Sequence, residues 1–77
     1  MKYKLLDCVV LVRDLPEHKL LAGDLGAVVE IYESDGLEAE FVKASGETLA
    51  VVTLSENDVR PIESADMVSV RSLSRVA

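Results

Sequence analysis

A segment with two glycines, Gly23-Asp24-Leu25-Gly26, leads directly into a run of β-forming residues at positions 27–32. Glycine reaches positive φ angles without a Cβ clash, so two glycines around Asp and Leu are typical of a tight turn. The valines and the isoleucine of the run favour a strand, because branched side chains pack well on a pleated surface. The segment therefore predicts a turn that starts an early strand of a small β protein.

Turn-forming clusters divide the chain into short apolar pieces, of which we interpret five as strands. The five predicted strands cover residues 8–12, 27–33, 37–43, 48–54 and 59–62. Hairpin turns are predicted at 34–36 and 44–47, and a single helical turn is predicted at 55–58. The predicted elements follow the order of an all-β, five-stranded SH3-like barrel. This order is a strand, a long polar loop over 13–25, three strands in a meander, a helical turn and a last strand.

The length of 77 residues fits one domain, with the barrel over residues 1–62. Pro61 cannot donate a ladder hydrogen bond, so the last strand is expected at an edge of the sheet. Residues 63–77 mix Ser, Arg and Val without periodicity, and we expect them to form a flexible or loosely docked tail. Domains this small often gain stability from association, so a partner protein or a homodimer is expected.

The chain is acidic, with a net charge of −6, and the whole excess of carboxylates lies before residue 63. An acidic surface repels phosphate backbones and anionic membranes, so the charge disfavours those partners and favours a basic protein. Cys8 is the only cysteine, which excludes an intrachain disulfide and suits a reducing cytoplasm. No apolar segment is long enough to cross a bilayer, so a cytoplasmic protein is predicted.

The third predicted strand alternates apolar residues with Glu38 and Glu40, which places both glutamates on the outer face. A three-residue loop at 34–36 opposes Glu30 to Glu40 and Tyr32 to Glu38. The three carboxylates then form one acidic patch with the tyrosine beside it. Three interpretations stay open: a solvated face relieved by a neighbouring Lys or Arg, a docking site for a basic partner, or a metal site. Hard-cation cages, however, usually add carbonyl ligands from a loop.

The fourth predicted strand is apolar on both faces, as is the first. With a four-residue loop at 44–47, Leu49 and Val51 face outward near Val42, and a three-residue loop reverses the two faces. Either way an apolar strip remains outside. It is an interface, a surface covered by residues 63–77, or tolerated exposure. The candidate partner-binding residues are therefore Glu30, Tyr32, Glu38, Glu40, Val42, Leu49 and Val51.

The sequence lacks a recognisable catalytic, metal-binding or cofactor-binding pattern. His18 is the only histidine and Cys8 the only cysteine, so they cannot complete a zinc site, and nothing supports their pairing as base and nucleophile. Gly23 and Gly26 are not followed by the Gly-Lys-Ser/Thr of a phosphate loop. Three aromatic residues are too few for a groove that binds proline-rich peptides. We therefore expect no enzyme, no cofactor and no metal.

Several motifs of the chain resemble those of a family of small bacterial proteins. The motifs are residues 5–11, Asp14-Leu15-Pro16, 21–30, 38–42, 46–48 and Val59-Arg60-Pro61. On these motifs, over residues 3–62, the chain resembles the family called domain of unknown function 4926. The resemblance implies a five-stranded SH3-like fold and a small companion of another protein, in a toxin–antitoxin or immunity role. It carries over no catalytic or binding residues.

Two functions follow as hypotheses. The first is a non-enzymatic protein-binding module, of antitoxin, immunity or accessory type, that holds a partner through the apolar strip and the acidic patch. The alternative is a KOW-like nucleic-acid or translation-associated module, because KOW-type modules share the Gly-Asp-x-Gly segment. That alternative requires a local basic face, made at one end of the barrel from Lys2, Lys4, Arg13, Lys19 and Arg60.

Overall fold

The computed structural model describes residues 1–74, which contain five strands in one antiparallel sheet. The strands are β1 (Cys8–Leu11), β2 (Leu25–Ile31), β3 (Gly36–Val42), β4 (Thr48–Ser55) and β5 (Val59–Pro61). Their order across the sheet is β4-β3-β2-β1-β5, so β5 lies at an edge, as Pro61 predicts. A 3₁₀ turn, Glu56–Asp58, precedes β5 at the expected place. The all-β prediction is confirmed, and the topology is compatible with a small SH3-like barrel.

The predicted turn before the second strand is present, but only its first glycine belongs to it. Gly23 has a φ of 96°, and the Asp24 amide donates to the Leu21 carbonyl over 3.0 Å. The strand begins at Leu25, earlier than predicted, so Gly26 lies inside β2. A Cβ atom on Gly26 would stand 2.7 Å from a ring carbon of Phe41. Gly26 therefore makes room for an aromatic ring and does not form the turn.

The register between β2 and β3 differs from the predicted one. Ile31 pairs with Leu37 and Glu30 with Glu38, around a three-residue loop at 33–35 that begins one residue earlier than expected. A β-bulge between Val28 and Glu30 then shifts the pairing by one residue. Because a bulge breaks the strict alternation of a strand, Val28 and Ile31 both reach the core side.

The hairpin between β3 and β4 combines the two registers considered for it. Next to the turn, the Lys43 amide donates to the Glu47 carbonyl over 2.9 Å, which corresponds to a three-residue loop. Beyond a bulge, Phe41 pairs with Ala50, which is the register of a four-residue loop. Ala50 and the alternate residues after it therefore face inward. Leu49, at the bulge, is half-buried and packs against the core, which is the orientation that the three-residue loop gives it.

Three core side chains come from outside the strands. Tyr3 is buried ahead of β1, and the loop after β1 supplies Leu15 and Leu20. The two leucines are joined by reciprocal backbone hydrogen bonds of 2.9 and 3.1 Å on either side of the 3₁₀ turn Pro16–His18. The loop expected to be polar is thus folded inward at Leu15 and Leu20, and it closes one part of the core.

The described part of the C-terminal segment, residues 63–74, runs back over the sheet, and we call it the strap. Both carboxylate oxygens of Asp66 accept hydrogen bonds of 2.9 Å from the Arg60 guanidinium. Further along, Arg71 bonds to Asp24 in the turn before β2. Val10 points away from the core, yet it is only 6% exposed, and it lines a groove of about 380 Å³ together with strap residues. Residues 75–77 of the predicted tail lie outside the described residues.

The attachment of the strap is expected to depend on pH. The Arg60 guanidinium, followed by the Glu63 amide, lowers the pKa of Asp66 to about 2. A depressed pKa stabilises the attached state above the ordinary carboxyl pKa of about 3.9, and this stabilisation is lost as the pH falls through about 2. Backbone ¹⁵N relaxation of residues 63–74 between pH 5 and pH 2 measures the change.

The matched variants for this titration are Asp66→Asn and Glu63→Gln. Asp66→Asn should loosen the strap around residue 66 already at pH 5, where the unaltered strap is still attached. Glu63→Gln should leave the transition in place, because Glu63 lies 3.9 Å from Arg60 and is largely exposed. A strap that stays equally ordered in Asp66→Asn would contradict the assignment.

Candidate protein-interaction face

The acidic patch of Glu30, Glu38 and Glu40 lies on the outer face of the sheet, opposite the core. Glu30 and Glu38 are directly opposed on β2 and β3, and Glu40 follows two residues later on the same face of β3. The predicted opposition of Glu30 to Glu40 is wrong, since Glu40 stands between Ala27 and Val51. The structure nevertheless brings the three carboxylates onto one surface.

Hydroxyl groups of β4 hold two of the three carboxylates. Thr53 Oγ1 donates to Glu38 Oε1 over 3.0 Å, and Thr48 Oγ1 donates to Glu40 Oε2 over 2.6 Å. Among residues 1–74, none of the three glutamates forms an ion pair. The hydroxyls orient the carboxylates without neutralising them, so the patch keeps its negative charge. Relief by a Lys or Arg, one of the three interpretations, is not found in the described part of the chain.

Tyr32 extends the patch at the hairpin end of β2. Its ring is exposed, and its main chain pairs with Gly36, which stands next to Glu38 on the same face. Partial loss of contact with water, and then the nearby charges of Glu38 and Glu30, raise the pKa of the Tyr32 phenol. The hydroxyl therefore stays protonated at neutral pH, where it can donate to or accept from a partner.

Two valines give the acidic face an apolar border. Val51 lies opposite Glu40 and is 49% exposed, and Val42 ends β3 with its side chain in solvent. Val42 and Leu49 meet at a groove of about 330 Å³ that also contains Leu73 of the strap. Six of the seven predicted binding residues thus lie on the outer face, and Leu49 is the exception.

Sequence reasoning missed the threonines that orient the carboxylates. A four-residue loop at 44–47 places Thr53 opposite Glu38, so this contact could have been predicted from the sequence. Docking of residues 63–77 was one of the open interpretations, but the contacts that hold the strap were not predicted. Arg71 reaches Asp24 across 47 positions of the chain, and a lone arginine in a Ser-rich segment gives no periodic signal.

The residues considered for chemistry lie apart from this face or lack partners. Cys8 is exposed at the start of β1, and His18 ends the first 3₁₀ turn. Over residues 1–74, no three His, Cys, Asp or Glu side chains are placed to share a metal ion. In the same residues, no helix has the length and apolar character needed to span a membrane.

The basic residues required by the alternative function are partly engaged by carboxylates. Arg13 bonds to Asp58 over 2.9 Å, and Arg60 is held by Asp66. Each contact raises the pKa of its guanidinium, first through the hydrogen bond itself. Two of the five cations named for a basic face are therefore already paired within the chain.

Comparison with known proteins yields one match. The model of a family described as Domain of unknown function (DUF4926) matches residues 5–61, which run from just before β1 to the end of β5. No curated protein and no solved structure matches the chain.

Proposed function

The chain belongs to the DUF4926 family, and from this premise we propose that it is a non-enzymatic protein-binding module that holds a basic partner protein on the outer face of β2, β3 and β4. The observation that supports the proposal is that carboxylates without an ion-pair partner in the described residues lie beside exposed valines on one face of the sheet. The proposed contact residues are Glu30, Tyr32, Glu38, Glu40, Val42 and Val51.

The two chemical characters of the face serve different steps of binding. The carboxylates attract a positively charged partner over a distance and accelerate the encounter, an effect that salt screens. Val51 and Val42 then lose contact with water, and burial of apolar surface supplies affinity. Tyr32 adds an aromatic ring with a polar end, a residue type that is enriched at protein interfaces.

An antitoxin or immunity role fits this chemistry within the proposal. A nuclease that binds phosphates carries a basic surface, and rows of carboxylates can occupy such a surface in place of the nucleic acid. The products of the genes next to this one are the first partners to test. Co-expression that yields no stable complex with any of them would count heavily against this role.

A substitution in the apolar border of the face tests the binding module itself. Val51→Lys should weaken the complex by about tenfold or more, since it places a charge in the apolar border and repels a basic partner. Val12→Lys is the matched control, because Val12 is 46% exposed against 49% for Val51 and directly follows β1, away from the patch. Calorimetry of both variants measures the difference, and equal affinities would contradict the proposal.

Salt distinguishes a basic partner from a second copy of the chain. Two copies at a net charge of −6 each repel one another, so added salt should tighten a homodimer and weaken a complex with a basic protein. The KOW-like alternative predicts RNA binding at low salt. This alternative has less support, since Arg13 and Arg60 are already paired with Asp58 and Asp66.

A further inference from the structure

The two edges of the sheet differ in how they are protected. β5 has three residues, ends at Pro61, and is followed by the strap that Arg60 holds through Asp66. β4 has eight residues without a charged side chain or a proline. In the described residues, no backbone hydrogen bond joins residues 48–54 to any segment other than β3. Exposed edges usually carry charges or proline that prevent strand addition, and β4 lacks both.

The register identifies the backbone groups that β4 presents to solvent. The Tyr32 amide donates to the Gly36 carbonyl, so Glu30 and Glu38, two residues further from the turn, form the next hydrogen-bonded pair. The main chain of Glu38 is therefore directed at β2 and not at β4. It follows that Thr53, opposite Glu38, and Val51, opposite Glu40, direct their N–H and C=O groups away from β3, at the open edge.

The acidic patch leans toward the same edge. Thr53 and Thr48 belong to β4, and their hydroxyls hold the carboxylates of Glu38 and Glu40 over that strand. A strand added beside β4 would lie about 4.8 Å from it. Side chains of the residues that pair with Val51 and Thr53 would point to the outer face, within reach of both carboxylates.

We propose that the edge of β4 accepts an extended segment of the partner as a sixth strand, with Lys or Arg at alternate positions opposite Val51 and Thr53. The inference rests on the proposed function and specifies how the partner binds: main-chain bonds along the edge, and charge contacts with Glu38 and Glu40. A second copy of the chain fits less well. Its own β4 is uncharged, and it would bring a second acidic patch to the same face.

A capped seven-residue peptide, Val-Lys-Val-Lys-Val-Lys-Val, is the probe. It should bind the full chain and shift the amide resonances of Val51 and Thr53 in an NMR titration. N-methylation of the lysine amides should weaken binding by about tenfold or more, because those N–H groups face β4. N-methylation of the valine amides, which point the other way, is the matched control and should leave binding nearly unchanged. A peptide with Glu in place of Lys should not bind.

The protein variants separate the strand addition from the acidic face. Glu38→Gln together with Glu40→Gln should weaken binding and reduce its salt dependence. The control, Glu17→Gln with Glu63→Gln, changes the net charge equally at exposed sites elsewhere. If the charge variants weaken binding but the two N-methylated peptides bind equally well, strand addition is wrong and the proposed function stands. Binding that neither the charge variants nor N-methylation alters would overturn both. A dimer of the chain alone that Val51→Lys dissociates would assign the edge to a second copy and overturn the inference.

Discussion

Replacement of Tyr3 by alanine is expected to lower the free energy of unfolding by about 3–5 kcal/mol, the usual cost of truncating a buried aromatic ring. Tyr3 is 5% exposed and belongs to the same core cluster as Val9 and Leu11. No other large side chain of residues 1–7 is buried, so Tyr3 alone connects this segment to the core. Urea denaturation followed by circular dichroism measures the change.

Tyr3→Phe is the matched control for this experiment. It keeps the ring and removes only the hydroxyl, which lies 3.4 Å from the Val59 carbonyl. A hydrogen bond of that length contributes little, so the expected loss is about 1 kcal/mol or less. Similar losses for the two variants would mean that the hydroxyl, and not the ring, stabilises the fold. An unchanged midpoint for Tyr3→Ala would mean that the N-terminal segment is not part of the core.

Gly26→Ala is expected to destabilise the barrel by about 1–3 kcal/mol, although it adds a single methyl group. The new Cβ would stand 2.7 to 3.0 Å from three ring carbons of Phe41, well inside van der Waals contact. Ala27→Val, at the next position and on the other face, is the control and should change stability by about 0.5 kcal/mol or less.

A second substitution shows whether the ring causes the loss. Phe41→Leu removes the ring and costs stability by itself, but it also frees the space that the methyl group added at position 26 needs. The double variant should therefore be more stable than the sum of the two single losses predicts, with a coupling of about 1 kcal/mol or more. Strict additivity would show that the glycine is needed for another reason.

The sequence was sufficient to predict elements that depend on local signals. Alternation in β3, the turn at Gly23 and the proline in β5 led to the correct strand count, edge and outer face for Glu38 and Glu40. Registers were harder to predict. The β2–β3 loop begins one residue earlier than predicted, which moves the partner of Glu30 from Glu40 to Glu38. Each bulge then inserts one residue at a place where the side-chain pattern looks regular.

Residues that are buried by contacts distant in the sequence showed no apolar periodicity from which their burial could be predicted. Tyr3 lies between two lysines, and Leu15 and Leu20 interrupt a polar loop, so none of them belongs to an apolar period. Their burial depends on contacts with strands that are distant in the sequence. The candidate face could be predicted from the sequence, because it follows from alternation within strands. The difference between the two sheet edges could not be predicted, because it depends on which strands end the sheet.

The strap and Tyr3 show that the boundaries of the segment shared with the family differ from the boundaries of the folded structure. Similarity to the family extends over residues 5–61, but Tyr3 precedes that segment and the strap follows it. A fragment trimmed to the shared segment would lack a core side chain and would expose Val10. The segment that the family model matches is therefore smaller than the part of the chain whose side chains contribute to the folded structure.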